Sequence, residues 1–303
     1  TQGYSSAASD VYKRQVYDYI MFNVRNGEIY MIKLKTFGSF TVGNGLTSVQ
    51  EGAWRSEKLE KLFVYLAMNR NRGVCIEDIS EAIWQVEEET DNPVGALKNL
   101  AYRLRKALRD ASFGEECIVS VRGGLYKWND DVEVTIDVEE FDRYINEAEM
   151  AFCRSKETAI ESYEKAIALY HGDFLPLRTD THWFMTLNAF YHSRYVNTVK
   201  ALAKLYIDTG CYEKLEQLCT RAIVYERSDE QIYSYLIVAR MRTKKVQMAF
   251  DTYETAKAIM DKDLGVRKTV MLNKVYEELL SVTKGASSYN IDEAVSYTHL
   301  TLP

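Results

Sequence analysis

A short pattern recurs through the second half of the chain. Ala159-x3-Tyr163-x2-Ala166 matches Leu215-x3-Cys219-x2-Ala222 and Ala249-x3-Tyr253-x2-Ala256. The last two copies stand 34 residues apart, the spacing at which pairs of helices stack into an array. The first copy lies 56 residues before the second, so an irregular insertion separates them. Small residues at these positions let neighbouring helices approach closely. From Ile136 onward the apolar period is helical. It predicts helices over Val138–Phe152, Thr158–Tyr170, Thr181–Thr209, Tyr212–Tyr225, Glu230–Arg242, Gln247–Asp261 and Lys268–Val282. Only three prolines occur in the whole chain, which suits a mainly helical protein.

The front of the chain follows another pattern. Met31–Val42 alternates apolar and polar residues with a break at Gly38, which predicts two short strands ending at Gly43-Asn44-Gly45. A loop follows. Trp54–Met68 places Leu59, Leu62, Phe63, Leu66 and Ala67 on one helical face, and Ile76–Trp84 reads as a short second helix. Asn92–Ala111 is a third, with Asn92 as its cap and Pro93 at its first position. Cys117–Trp128 then gives two β-rich runs around Gly123-Gly124, a hairpin signal. Strands, three helices and a closing hairpin are the order of a winged helix-turn-helix, in which the third helix reads DNA and the hairpin is the wing. The fold class expected is therefore mainly α with a small β component: a winged helix over residues 31–136, then an all-α, tetratricopeptide-like domain over 137–282.

The third helix is the candidate site. It carries Lys98, Arg103, Arg105, Lys106 and Arg109 against one acid, Asp110, in a chain of net charge −6. Leu97, Ala101, Leu104 and Leu108 form its apolar face. Lys98, Asn99, Tyr102, Arg103 and Lys106 lie opposite as candidate base or phosphate contacts, since Arg and Asn can pair bidentately with guanine and adenine. Arg105 and Arg109, nearer the flank, are candidates for phosphate; Arg105 has the alternative of pairing with an acid inside the domain. Arg122 at the wing tip could enter the minor groove or hold a phosphate, and Arg55 is a further phosphate candidate. Against this stands the balance of residues 31–136, with 14 Lys and Arg to 16 Asp and Glu, a net of −2. DNA-binding domains are usually basic. Positive charge must then be confined to one face, and binding should weaken sharply with salt.

Three runs point further. RLRKAL (Arg103–Leu108), VRGGLYKW (Val121–Trp128) and IDVEEF (Ile136–Phe141) resemble the OmpR-type winged helix of the SARP/AfsR class of bacterial regulators. The usual wing reads closer to RGxGY, so the turn here is one residue off pattern. YHGDFLP (Tyr170–Pro176) with Trp183, and DLGV (Asp263–Val266), resemble the bacterial transcriptional activation domain (BTAD) that follows the winged helix in those regulators. The resemblance spans Met31 to about Leu280. It implies a sequence-specific transcriptional regulator, an activator, that binds double-stranded DNA as a homodimer on repeated half-sites. It also implies that the acidic loop Glu87–Asp91 can contact RNA polymerase; the plain alternative is a solvated loop beside the helix N-terminus. The helical domain would serve self-association, polymerase contact or sensing of an effector or protein. The competing class is an interaction scaffold whose winged helix binds protein and not DNA.

Other chemistries find little footing. No G-x-x-x-x-G-K-[ST] occurs. His171, His182 and His192 lack metal-ligand spacing with any cysteine. No catalytic residue, cofactor or metal is expected, and the protein is read as a non-enzyme. Cys75, Cys117, Cys153, Cys211 and Cys219 are scattered and odd in number, which favours reduced thiols and a cytoplasmic location. No apolar run approaches the roughly 18 residues of a membrane helix.

Both ends read as foreign. SSAASDVYKRQ (Ser5–Gln15) and VSYTHLTLP (Val295–Pro303) resemble translations of one tagmentation sequencing adapter in opposite orientations. The expectation is that residues 1–15 and 295–303 are adapter-derived and to be set aside. Residues 16–30 are read as translated leader before a start at Met31, the other reading being a native strand or arm. Residues 283–294 are read as a linker to a missing C-terminal part.

Overall fold

The computed structural model describes residues 31–45, 47–85, 92–111, 113, 117–121, 124–263 and 269–283. The adapter, leader and linker readings, the acidic loop Glu87–Asp91, Arg122 and most of the DLGV run lie outside them. The described chain is mainly helical with a small β component, as expected. It divides into two compact units, one holding residues up to Glu140 together with His171–Tyr191, the other Phe141–Tyr170 and the chain from His192.

The first unit opens on a four-stranded sheet of order β3-β2-β1-β6. β1 (Ile32–Lys35) pairs antiparallel with β2 (Thr41–Gly43), setting Leu34 opposite Val42. β2 pairs antiparallel with β3 (Ser48–Gln50), and β1 pairs in parallel with β6 (Val134–Ile136). Ile32, Leu34, Val42, Val49, Val134 and Ile136 are buried. Two of these strands depart from the sequence reading, which places a loop after Gly45 and assigns no strand between Trp128 and Val138. Both are three residues long, too short for alternation to register, and their partners are distant in the chain.

Helices α1 (Glu57–Met68), α2 (Ile76–Ile83) and α3 (Pro93–Asp110) pack against one another. A separate hairpin follows, β4 (Ile118–Val121) with β5 (Leu125–Trp128), in the register Val121↔Leu125 to Ile118↔Trp128. Gly124 closes the hairpin turn at φ 79°, a left-handed conformation that favours glycine. Tyr126 also exchanges two backbone hydrogen bonds with Val74, at 2.8 and 2.9 Å, which ties the hairpin to the chain between α1 and α2. Phe63 centres the core, with the Trp54 and Trp128 rings each 5.4 Å away and edge-on. The order of elements in this unit is thus strands, three helices and a closing hairpin, then the short strand β6.

Residues 171–191 complete this unit. Phe174 forms an antiparallel bridge with Phe37. Gly38 N donates to the Asp173 carbonyl at 2.9 Å, and Leu175 N to that of Thr36 at 2.9 Å. A Cβ at Gly38 would stand 2.7 Å from the His171 carbonyl oxygen, so the YHGDFLP run comes close because position 38 has no side chain. Asp137, first residue of α4 (Asp137–Ala151), accepts from Thr36 N, Phe37 N, Val138 N and the Thr36 hydroxyl. Burial raises its pKa against the pull of those donors.

Among the described residues the second unit is all helix: the rest of α4, then α5 (Lys156–Leu169), the part of α6 (His182–Asp208) from His192, α7 (Tyr212–Tyr225), α8 (Glu230–Arg242), α9 (Val246–Asp263) and α10 (Val270–Thr283). All nine repeat residues, at 159, 163, 166, 215, 219, 222, 249, 253 and 256, are buried. α8 packs on α7, α9 and α10 and is buried from Ile232 through Ala239, as a helix enclosed by others must be.

Candidate nucleic-acid interface

Helix α3 forms where the sequence places it. The Asn92 side-chain oxygen accepts from Gly95 N at 2.9 Å, and Pro93 takes the first position. Gly95 is fitted to this cap, because a Cβ there would lie 2.7 Å from the Asn92 side-chain nitrogen. Leu97, Leu100, Ala101, Leu104 and Leu108 are buried. That leaves Lys98, Asn99, Tyr102, Arg103, Lys106 and Arg109 exposed along the other side. Tyr102 keeps 63% of its surface in solvent, so the core does not use it.

Arg105 stands apart. It is half-buried, and its Nε donates to the Ile118 carbonyl at 3.1 Å. Its guanidinium acts on Tyr126 too, lowering a phenol pKa that burial raises overall. One partner of Arg105 is thus a backbone carbonyl of β4. Arg55 is exposed, in a turn at φ 51° just before α1.

Sequence reasoning missed three contributors. The Thr47 hydroxyl donates to the Ala111 carbonyl at 3.0 Å and so satisfies the end of α3 from the β2–β3 turn. Val94, 43% exposed in the first turn of α3, adds an apolar group near the basic face. The third contributor is a charged cluster on α1. Glu60 and Lys61 are each 2% exposed, against a segment more than a hundred residues away. Glu60 accepts from Arg178 at 2.5 Å and, on its other oxygen, from Gly52 N at 2.8 Å. Arg178 also reaches Glu51 at 3.2 Å. Lys61 pairs with Asp180, whose second oxygen accepts from Gln85 at 2.9 Å. Burial works to raise the Asp180 pKa, but the bonds from Lys61 and Gln85 prevail and hold it below the usual range. Only the exposure of Val94 follows from helical periodicity. The other two join residues too distant in the chain for one sequence to pair.

Among the described residues no cluster of His, Cys, Asp or Glu could hold a metal ion, and no helix is long and apolar enough to cross a membrane.

Paired helices with small residues at a 34-residue period, following a three-helix unit with a hairpin, define a class. Residues 136–280 match the family model of the bacterial transcriptional activator domain. It is a domain of transcriptional regulators and not of an enzyme class. The transcriptional regulator RedD of Streptomyces coelicolor is 23% identical over 238 residues, covering 78% of this chain and 67% of RedD. The fold is similar to that of Mycobacterium tuberculosis EmbR, solved in complex with a low affinity phosphopeptide. The TM-score is 0.65 at 18% identity, over 88% of this chain and 68% of EmbR.

Proposed function

We propose that this protein is a sequence-specific, DNA-binding transcriptional regulator, an activator that works in the cytoplasm. Helix α3 enters the major groove and the β4–β5 hairpin is the wing. The observation that carries this is the solvent face of α3: four cations with Asn99 and Tyr102, all exposed, on a third helix followed by a hairpin. Lys98, Asn99, Tyr102, Arg103 and Lys106 contact bases or phosphates. Arg109, Arg55 and Arg122 contact the backbone, and Arg122 has the minor groove as its other target. The activator domain supports a role in self-association as a homodimer on DNA, in contact with RNA polymerase or in sensing an effector.

Gel shifts of a duplex selected from a random pool, run across a salt series, test the reading. Arg103→Ala and Lys106→Ala should each weaken binding. Loss of a base-contacting residue costs about 1–3 kcal/mol, and loss of a phosphate contact lowers the log–log salt slope by about 1. Absence of salt-sensitive binding, or wild-type binding by both variants, sinks it. The second reading, an interaction scaffold, is favoured by the net charge of −2 over residues 31–136. It predicts that the selection returns no preferred duplex.

A further inference from the structure

Glu60 and Lys61 of α1 have polar partners in Gly52, Arg178 and Asp180, away from the exposed face of α3. Yet they are among the most deeply buried charges in the first unit. Arg178, 4% exposed, lies against Glu60 and Glu51, with Glu57 at 3.6 Å. Asp180 holds Lys61, whose ammonium also sits 5.7 Å from the Phe184 ring centre. Neutral contacts flank these pairs. The Thr181 hydroxyl donates to the Ala82 carbonyl at the end of α2 at 2.8 Å, and the Trp183 ring stands 4.9 Å from that of Tyr65 on α1. The segment therefore grips α1 and the end of α2. α1 in turn packs against α3.

We propose that Arg178 and Asp180 are positioning residues for the DNA-reading helix: they fix α1, and through α1 the seat of α3, without touching nucleic acid. This rests on the DNA-binding reading and deepens it. A buried ion pair adds little net stability relative to an apolar pair, whereas removing one partner strands the other charge. Such a pair sets geometry more than it sets stability. Glu60 shows the arrangement well, since its two oxygens are taken by two different segments, Gly52 and Arg178. Loss of Arg178 leaves a buried carboxylate that can recover water only by shifting α1.

The test uses the full chain with Arg178→Met, Asp180→Asn, the rescue pair Glu60→Gln with Arg178→Met, and Lys106→Ala as the contact control. Three quantities are read: amide exchange in α1 and α3 peptides, affinity for the selected duplex well below the melting temperature, and the salt slope. Both single variants should speed exchange in α1 and α3 and bind about tenfold more weakly, ~1.4 kcal/mol, with the wild-type salt slope. The rescue pair should regain most of that loss, since the side-chain amide introduced by Glu60→Gln keeps an acceptor for Gly52 N with no stranded charge. Lys106→Ala should lower the slope and leave exchange alone. Wild-type exchange and affinity in both single variants overturn the proposal. So does a slope that falls with Arg178→Met, which would make Arg178 a phosphate contact. If the wild-type chain selects no duplex, the DNA-binding reading itself fails, while the exchange data still report whether the cluster holds α1.

Discussion

Gly38 is where one atom more would be felt. It sits at φ 83° with the His171 carbonyl oxygen 2.7 Å from where a Cβ would stand. Gly38→Ala therefore adds backbone strain to a clash with main chain, and neither has a flexible side chain to absorb it. The expected loss is about 1–3 kcal/mol for the strain alone, read as a lower melting temperature. Exchange should rise first around residues 171–175. Other residues were legible in the sequence in part. Periodicity sorted Lys98, Arg103, Lys106 and Arg109 onto the solvent side of α3 and left Arg105 nearer the flank, where it is half-buried. The partner of Arg105 was not legible, because a guanidinium near the edge of a helix face can turn either way. The Ile118 carbonyl that it meets belongs to a strand whose placement a single sequence does not give.

Among elements, legibility tracked length and capping. α7 and α8 end where the sequence puts them, and Asp229 caps α8 by accepting from Gln231 N and Ile232 N at 3.0 and 3.1 Å. α3 is bounded as clearly, by Asn92. Asn92→Ala should cost about 1 kcal/mol, measured by denaturant unfolding, and should fray the end of the helix that carries Lys98 and Asn99. α1 misled in a different way. Its pattern predicts one buried face, yet every residue from Leu59 through Ala67 is buried, Glu60 and Lys61 included. An amphipathic helix normally turns its charges to water. Here residues 171–191 cover the polar side and supply the opposite charges, a partner that no local window can see.

For the molecule as a whole, the linear domain boundary and the spatial one part company. The activator-domain match begins at residue 136, yet residues 171–191 of that stretch fold with the first unit. A fragment of residues 31–140 should therefore be poorly folded. It would leave Glu60 and Lys61 without Arg178 and Asp180, and would expose the apolar surface under Phe174 and Trp183. Circular dichroism and one-dimensional proton spectra would show this as weak dispersion and a broad melt, and a fragment of residues 31–191 should recover a cooperative transition. The same interleaving sets an order of events during synthesis. Domains usually mature from the N-terminus as the chain emerges. In this protein the N-terminal unit is expected to stay open while α5 is translated and to close only once residue 191 has cleared the ribosome. A nascent chain stalled before that point would have made the whole of α3 but would have no finished body to hold it.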